Sequence, residues 1–347
     1  IDYTGGGCPH ILAEPQRKNE VTYSSDFSDS SWTPTDITIT NNAAASPEGV
    51  NNASKIILDN GSSASCDLRV PSTNVTLGTS YTFSVFAKAG EFDKIELDFS
   101  NSRMGVSYVL AELTNGTITH RGVDNTADSI EDYGNGWYRI TLTGTAIATG
   151  TTALIFRLGA NPTGDGTSGF YIFGADFQEG SYPTSYIPTS GSTVTRNQDI
   201  FTRDGIGSLI NSTEGVLFLE MAALSTSIDN GYLSLNNGGN YQIRVGYLSG
   251  NIYIQIRING AVPYSYSFVG TITDFNKIAV KWTATEQKVY VNGSPVDTGA
   301  ASTIFPTDTL NNMEFAVNGL TPVFAKVKQL QVYDTALSPT QLAALTS

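Results

Sequence analysis

Short segments in which apolar and polar residues alternate recur along most of this chain. One of them begins at Tyr81 and places Tyr81, Phe83 and Val85 in phase. Successive side chains of a β-strand point to opposite faces, so this pattern predicts a strand with one buried face. Three further segments repeat it, with the in-phase residues Ile95, Leu97 and Phe99; Tyr138, Ile140 and Leu142; and Leu154, Phe156 and Leu158. Many short strands separated by Gly, Asn, Asp and Ser turns are typical of an antiparallel sandwich.

The length of 347 residues is too great for one ordinary sandwich and suits two. The pattern divides the chain into an irregular lead-in (1–20), a first sandwich (21–189), a polar linker (190–212) and a second sandwich (213–347). Near the C-terminus, Ser338 can cap a helix whose first residue is Pro339. The sequence therefore predicts an all-β fold of two antiparallel sandwiches, closed by a short C-terminal helix.

The charge of the chain excludes several classes of partner. Its formal net charge is −13, and its 19 lysines and arginines are scattered singly. A nucleic-acid surface needs clustered basic residues, so no nucleic acid partner is expected. No apolar run approaches the roughly 20 residues of a membrane-spanning helix, and no signal peptide is visible. Because the chain starts at Ile1 without methionine, we expect a fragment of a longer protein.

Residues for nucleophilic or metal chemistry are scarce. The two histidines, His10 and His120, provide little material for a catalytic triad or a zinc site. Cys8 and Cys66 are not part of a Cys-x-x-Cys motif; two unpaired thiols are favoured, and one disulfide stays an alternative. No phosphate-binding loop or Gly-x-Ser-x-Gly elbow is present.

The strongest catalytic candidate is the segment Glu96-Leu97-Asp98. Some concanavalin-like glycanases carry Glu-x-Asp-x-Glu on one strand, which places three carboxylates on one face for acid–base and nucleophilic work. Here the third position is Ser100, and the motif lies in the first sandwich. We therefore expect two solvated carboxylates opposite the apolar face, and no catalytic role.

Several segments resemble known families. In the first sandwich, 25–32 (Ser-Asp-Phe-Ser-Asp-Ser-Ser-Trp) and 170–180 (Phe-Tyr-Ile-Phe-Gly-Ala-Asp-Phe-Gln-Glu-Gly) resemble the first and last strands of jelly-roll carbohydrate-binding modules. The second sandwich resembles the concanavalin A-like (laminin G-like) superfamily in 276–282, 289–293 and 327–338. The lead-in from Cys8 and the stretches 185–189 and 195–199 resemble segments of bacteriophage tail and fibre proteins.

These resemblances imply a non-enzymatic virion appendage protein, located on the virion surface, that binds host-surface or environmental glycans. Its other partners would be virion proteins, and a homotrimer is compatible because fibre proteins are usually trimers. Two alternatives stay open. One is a structural or decoration protein whose sandwiches mediate assembly without sugar binding, and the other is a polysaccharide-degrading enzyme.

The jelly-roll resemblance also implies a cofactor. Modules of this kind often hold a structural calcium ion between their first and last strands. By position, Asp26 and Asp176 would supply the side-chain ligands, with backbone carbonyls completing an oxygen cage. A pair of turn-capping aspartates is the alternative.

A hairpin in the second sandwich predicts the candidate sugar site. Asn259-Gly260 is a type I′ turn signal, and Asn292-Gly293 is another. A two-residue loop at 259–260 pairs Ile258 with Ala261, and the register then follows along both strands. Under that register Ile252, Ile254, Ile256 and Ile258 fill the core face, and the opposite face carries Tyr253, Gln255, Arg257, Tyr264 and Tyr266.

Three tyrosines with an arginine and a glutamine supply the ring faces and hydrogen-bonding groups that sugars need. Cross-strand aromatic pairs also stabilise sheets, which is the alternative role of this face. Among the tryptophans, Trp282 is in phase with the core and Trp32 is expected to pack. Trp137 is out of phase with its strand and is a second candidate platform for sugar.

Overall fold

The computed structural model describes residues 10–62, 66–159, 163–226, 230–300, 305–317 and 319–347. The chain divides into two compact units. The N-terminal sandwich comprises Gln16–Asn197, and the C-terminal sandwich combines Ile1–Pro15 with Gln198–Ser347. This division differs from the predicted one, because residues assigned to the lead-in and the linker are recruited into sheets.

Within the described residues the first part of the chain contains the strands β1 (Ile11–Ala13), β2 (Arg17–Asn19), β3 (Thr33–Thr35), β4 (Ile37–Ala45), β5 (Asn51–Leu58), β6 (Asp67–Val75), β7 (Ser80–Lys88) and β8 (Lys94–Phe99). A one-turn helix α1 (Asn101–Met104) precedes β9 (Tyr108–Glu112), β10 (Thr117–Arg121), β11 (Asn125–Asp132), β12 (Trp137–Thr145), β13 (Gly150–Leu158), β14 (Gly169–Glu179) and β15 (Val194–Arg196).

The rest of the described chain contains β16 (Thr202–Arg203), a 3₁₀ turn (Gly207–Leu209), β17 (Gly215–Ala223), β18 (Gly231–Asn236), β19 (Gln242–Leu248), β20 (Asn251–Ile258), β21 (Ala261–Phe268), β22 (Asn276–Trp282), β23 (Glu286–Val291), β24 (Ser294–Ala300), β25 (Asn312–Glu314), β26 (Ala325–Tyr333) and the helix α2 (Pro339–Thr346). The predicted all-β class with a short C-terminal helix is confirmed.

The N-terminal sandwich has two antiparallel sheets of six described strands each. The β8 sheet has the order β10-β9-β8-β13-β6-β3, and the β7 sheet has the order β11-β12-β7-β14-β5-β4. The in-phase residues of the sequence pattern meet between the sheets; Phe83, for example, lies 5.0 Å from Phe156, centroid to centroid. Trp32 packs into the same core, stacked on Phe156, as predicted. Cys66 is buried, while Cys8 lies outside the described residues, so their pairing stays open.

The lead-in contains two short strands. β1 pairs with β26 in the C-terminal sandwich, and β2 pairs with β15 in the N-terminal sandwich. The sequence offered no alternation here because each strand is only three residues long. These residues are therefore strands because their backbones pair with β26 and β15, and not because of an alternation in their sequence.

The C-terminal sandwich also has two antiparallel sheets of six described strands each. The back sheet has the order β1-β26-β17-β22-β23-β24, and the front sheet has the order β16-β25-β18-β19-β20-β21. Trp282 is 1% exposed in the core between them, as predicted.

The helix α2 covers the outer face of the back sheet. Ser338 caps the helix and Pro339 occupies its first turn, as predicted, and Gln341 completes a capping box. Leu342 is fully buried against Phe218 and Tyr290 of the back sheet. No helix in the described ranges is both long enough and apolar enough to cross a membrane.

Candidate functional site

The hairpin β20–β21 differs from the predicted register after its first pair. Asn259 and Gly260 have φ angles of +49° and +80°, as a type I′ turn requires, and Ile258 pairs with Ala261. A β-bulge follows, in which Val262 and Pro263 together oppose Arg257. One extra residue shifts every later side chain to the other face of the sheet.

The prediction that Tyr264 and Tyr266 share a face with Tyr253 is therefore wrong. Tyr264 pairs with Ile256 and is 7% exposed in the core. Tyr266 pairs with Ile254 and packs against the same core. A proline lacks the N–H that a regular ladder needs and is found at bulges, so Pro263 was the signal for this shift.

The other three residues of the predicted sugar site, Tyr253, Gln255 and Arg257, do lie together on the outer face of the front sheet. Their cross-strand neighbours extend this face over β19, β18 and β25. We call it the polar face, and it consists of Tyr232, Ser234, Asn236, Gln242, Arg244, Tyr253, Gln255, Arg257 and Glu314. The interleaved residues, such as Ile243, Val245 and Ile254, are fully buried on the core side.

Two tyrosines of the polar face meet over a glycine. Tyr253 and Tyr232 both pair with Gly246, from opposite sides, so they lie two strands apart. Gly246 has no side chain to separate them, and the ring centroids approach to 5.9 Å. The Tyr253 hydroxyl accepts a hydrogen bond from Nε2 of Gln255 at 3.1 Å. This pair forms the aromatic part of the site.

The guanidinium of Arg244 lies over the Tyr232 ring, 5.7 Å from its centroid. Its Nε donates to Oε1 of Gln242 in a 2.5 Å hydrogen bond. Burial, and then the neighbouring positive charge of Arg257, lower the pKa of Arg244. The two arginines lie in adjacent cross-strand rows of neighbouring strands on the same face, so their positive charges repel each other.

The polar face becomes more buried toward β18 and β25. Ser234, Asn236 and Gln242 are fully buried, whereas Arg244, Tyr253, Gln255 and Arg257 are half-buried. Nδ2 of Asn236 donates to Oγ of Ser234 (2.8 Å) and to Oε1 of Glu314 (3.1 Å). Ser234, Asn236 and Glu314 thus form a hydrogen-bonded network, and the partly exposed groups of the polar face belong to β19 and β20.

The sequence did not predict that residues of β18, β19 and β25 belong to the polar face. Gln242, Arg244 and Gly246 alternate with the apolar Ile243, Val245 and Tyr247, so the strand and its polar side were visible. Sequence alternation does not reveal which strands are neighbours in a sheet. The sequence therefore could not predict that Gln242 and Arg244 lie beside Tyr253.

Trp137, the second predicted platform, lies on the outer face of the β7 sheet, as its phase indicates. It is only 2% exposed, because it packs with Phe86 and Phe173 in a separate aromatic cluster that Tyr186 also contacts. Its Nε1 donates to the carbonyl oxygen of Ala45 at 3.0 Å. The ring has no free face, so the prediction of an outward platform is corrected to a packing role.

The two aspartates predicted as calcium ligands have separate surroundings. Asp26 is exposed, and its Oδ1 accepts hydrogen bonds from Ser28 and Asn41. Asp176 is 1% exposed and accepts from Gln178 and the backbone of Ile187. In the part of the chain that is described, no three His, Cys, Asp or Glu side chains form a metal-ligating group. The calcium site therefore stays a prediction.

Glu96 and Asp98 lie on the outer face of the β8 sheet, opposite the apolar residues, as predicted. They are not simply solvated, because both accept hydrogen bonds from the guanidinium of Arg157. Burial raises the pKa of Asp98 to about 6, against the opposing effect of Arg157. A shared guanidinium holds the two carboxylates as an ion-pair network.

Comparison with known proteins gives the class of the C-terminal sandwich. Residues 218–343 match the family described as the concanavalin A-like lectin/glucanases superfamily. The C-terminal sandwich is therefore similar to the domains of this superfamily. The sequence has no significant match among curated proteins.

Solved structures that align with part of this chain include the following three. The CBM40 module of the Ruminococcus gnavus IT-sialidase, bound to α2,3-sialyllactose, is 18% identical with a TM-score of 0.34, over 42% of this chain and 98% of that chain. Domain 4 of AbnA, a GH43 extracellular arabinanase from Geobacillus stearothermophilus in complex with arabinotriose, is 18% identical with a TM-score of 0.34, over 45% and 73%. The NanB sialidase of Streptococcus pneumoniae is 16% identical with a TM-score of 0.34, over 42% and 26%. These likenesses are too distant to assign a ligand.

Proposed function

We propose that this protein binds glycans through the polar face of its concanavalin A-like domain and catalyses no reaction. The observation that carries the proposal is the contact between the buried Tyr232 and the half-buried Tyr253, flanked by the side chains of Arg244 and Gln255. Aromatic faces bind the apolar side of a sugar ring, and amide and guanidinium groups bind its hydroxyls. A sheet face that combines them is suited to an oligosaccharide.

The surroundings of Glu96, Asp98 and Glu314 support binding rather than catalysis. A glycosidase needs two carboxyl groups that flank a sugar, one of them free to donate a proton. Glu96 and Asp98 instead share Arg157, and Glu314 is bound by Asn236 and by the backbone of Gly319. Glu96 and Asp98 lie in the N-terminal sandwich, and Glu314 is a single carboxylate on the polar face, so these groups do not form a carboxyl pair around Tyr232 and Tyr253.

The setting of this activity is also a proposal. The phage-like lead-in and linker segments support a virion appendage that presents the polar face to host-surface or environmental polysaccharide. Surface location on the virion, contacts with other virion proteins and a homotrimeric state follow from the same resemblance. Light scattering of the full chain tests the last of these, and a monomer at micromolar concentration would count against it.

A glycan array with the full chain, followed by titration calorimetry, tests the proposal. Replacement of Tyr253 by Ala removes half of the aromatic pair, so we expect at least tenfold weaker binding, since an aromatic contact contributes about 1.5 kcal/mol. Tyr108→Ala, on a strand of the other sandwich, is the matched control and should bind as the wild type does. Equal binding by the Tyr253 and Tyr108 variants would refute the location of the site.

A structural role is the second candidate for the N-terminal sandwich. Its outer β7 sheet face is filled by its own aromatic side chains, with Phe86, Trp137 and Phe173 all buried. Such a surface packs internally and offers no platform. We propose that this sandwich has a structural role and binds no sugar, and array binding by a chain shortened to 16–197 would contradict this.

A further inference from the structure

The hydrogen-bonding groups at the open end of the polar face are mostly donors. Arg244 uses its Nε on Gln242, and its terminal nitrogens have no hydrogen-bond partner among the described residues. Nε of Arg257 and Nε2 of Gln242 are buried and also lack a partner there. Buried donors without acceptors are costly, by about 1–3 kcal/mol each, and are rare in folded proteins.

Negative charge does not balance these donors. In the described chain neither Arg244 nor Arg257 forms an ion pair, whereas Arg69, Arg121 and Arg157 each have a carboxylate partner. The nearest carboxylate along the sheet, Glu314, lies two strands from Arg244 and accepts from Asn236 and Gly319 instead. The protein carries a formal charge of −13, so acidic side chains are available elsewhere and are absent from this pair.

The strand geometry keeps the two arginines together. Arg257 pairs with Gln242, and Arg244 pairs with Gln255 in the adjacent cross-strand row, so the two guanidiniums lie diagonally on neighbouring strands. The bulge places Val262 and Pro263 opposite Arg257 and turns Tyr264 and Tyr266 to the core face, so the β21 residues that share the outer face, Ser265 and Ser267, are not aromatic. Two planar donors beside a neutral amide donor complement a group that has only acceptors.

We propose that the polar face selects acidic glycans, with Arg244 and Arg257 binding the carboxylate or sulfate of a sugar beside the Tyr232–Tyr253 pair. This inference rests on the proposed glycan binding and adds the class of sugar. Arginine forks match carboxylate and sulfate oxygens in a bidentate manner, and such an anion would offset the repulsion between the two guanidiniums.

Matched polymers test the charge requirement with the full chain. The probes are hyaluronan, the same hyaluronan after reduction of its carboxyl groups, dextran sulfate and dextran. We expect retention on an affinity gel by an acidic polymer, with at least tenfold weaker binding to its uncharged counterpart. Retention by hyaluronan but not dextran sulfate would identify a carboxylate, and the reverse would identify a sulfate.

Variants separate this inference from the proposed function. Arg244→Gln and Arg257→Gln should each weaken binding to the acidic polymer by about tenfold, and Arg257→Lys should recover only part of it because the fork is lost. Arg203→Gln, an exposed arginine of the same domain, is the matched control. Unchanged melting temperatures would show that all four variants fold, and a glutamine variant that does not fold is replaced by its lysine form.

Three outcomes overturn the inference in different ways. Equal binding to charged and uncharged polymers that still requires Tyr253 refutes the acidic specificity and leaves glycan binding intact. Loss of binding in the Arg203 variant equal to that in the Arg257 variant would show a non-specific charge effect. Binding of no glycan on the array or on the gels refutes the proposed function and this inference together.

Discussion

Asp176 is a single residue at which the structure predicts a change of stability with pH. Burial raises its pKa to about 6 from an unfolded value of 3.8. The folded chain therefore binds this proton more tightly than the unfolded chain does. The stabilisation is fully present below about pH 3.8 and is lost as the pH rises through about 6, a difference of about 3 kcal/mol.

Denaturant unfolding of the wild type and of Asp176→Asn, at pH 4 and pH 7, measures this effect. We expect the wild type to lose about 2 kcal/mol relative to the variant between the two pH values, because the unfolded carboxyl is already partly ionised at pH 4. Asp165→Asn is the control of opposite sign, because hydrogen bonds from Ser168 and Thr167 lower the pKa of Asp165. A difference between wild type and the Asp176 variant that does not change with pH would show that Asp176 is not a buried, titrating carboxylate.

The predicted calcium ligands allow a separate test at the residue scale. A bound structural ion stabilises only the folded state, so its removal lowers the melting temperature. If Asp26 and Asp176 hold calcium, excess chelator should lower the melting temperature of the full chain, and added calcium should restore it. The Asp26→Asn variant should then be insensitive to chelator, and an unchanged wild-type melting temperature would exclude the site.

At the scale of the element, the hairpin β20–β21 separates two roles of tyrosine. Tyr264 lies in the core, so Tyr264→Ala leaves a cavity and should destabilise the domain by about 3 kcal/mol. Tyr253 lies half-buried on the polar face, and Tyr253→Ala should change stability by less than about 1 kcal/mol while weakening glycan binding. A loss of stability in the Tyr253 variant together with a loss of binding in the Tyr264 variant would contradict the bulge and favour the unbulged register.

At the scale of the whole molecule, the N-terminal strand β1 belongs to the C-terminal sandwich, because it is the edge strand beside β26. Ile11, Leu12 and Ala13 pair with β26, and the backbone N–H of Glu14 donates to the Asp199 carboxylate at 2.9 Å. A chain that starts at residue 16 loses these bonds, at a cost of about 2 kcal/mol. We expect the melting transition of the C-terminal sandwich to fall by about 4–8 °C and that of the N-terminal sandwich to stay unchanged.

A chain that starts at residue 10 is the control, because it retains β1. Calorimetry with separate transitions for the two sandwiches distinguishes the variants. An equal decrease of both transitions would contradict the assignment of β1 to one unit, since the two sandwiches have separate cores.

The sequence by itself determined the all-β class, the core residues of the alternating strands, both Asn-Gly turns and the capped C-terminal helix. These features depend on local geometry, since a period of two defines the faces of a strand and specific residues suit turns and caps. Only the tertiary structure decided the register beyond Pro263, the burial of Trp137 and the junction of Arg244 with Tyr232 and Tyr253. One bulge reverses the faces of a strand, and strands far apart in sequence become neighbours only when the sheet is assembled.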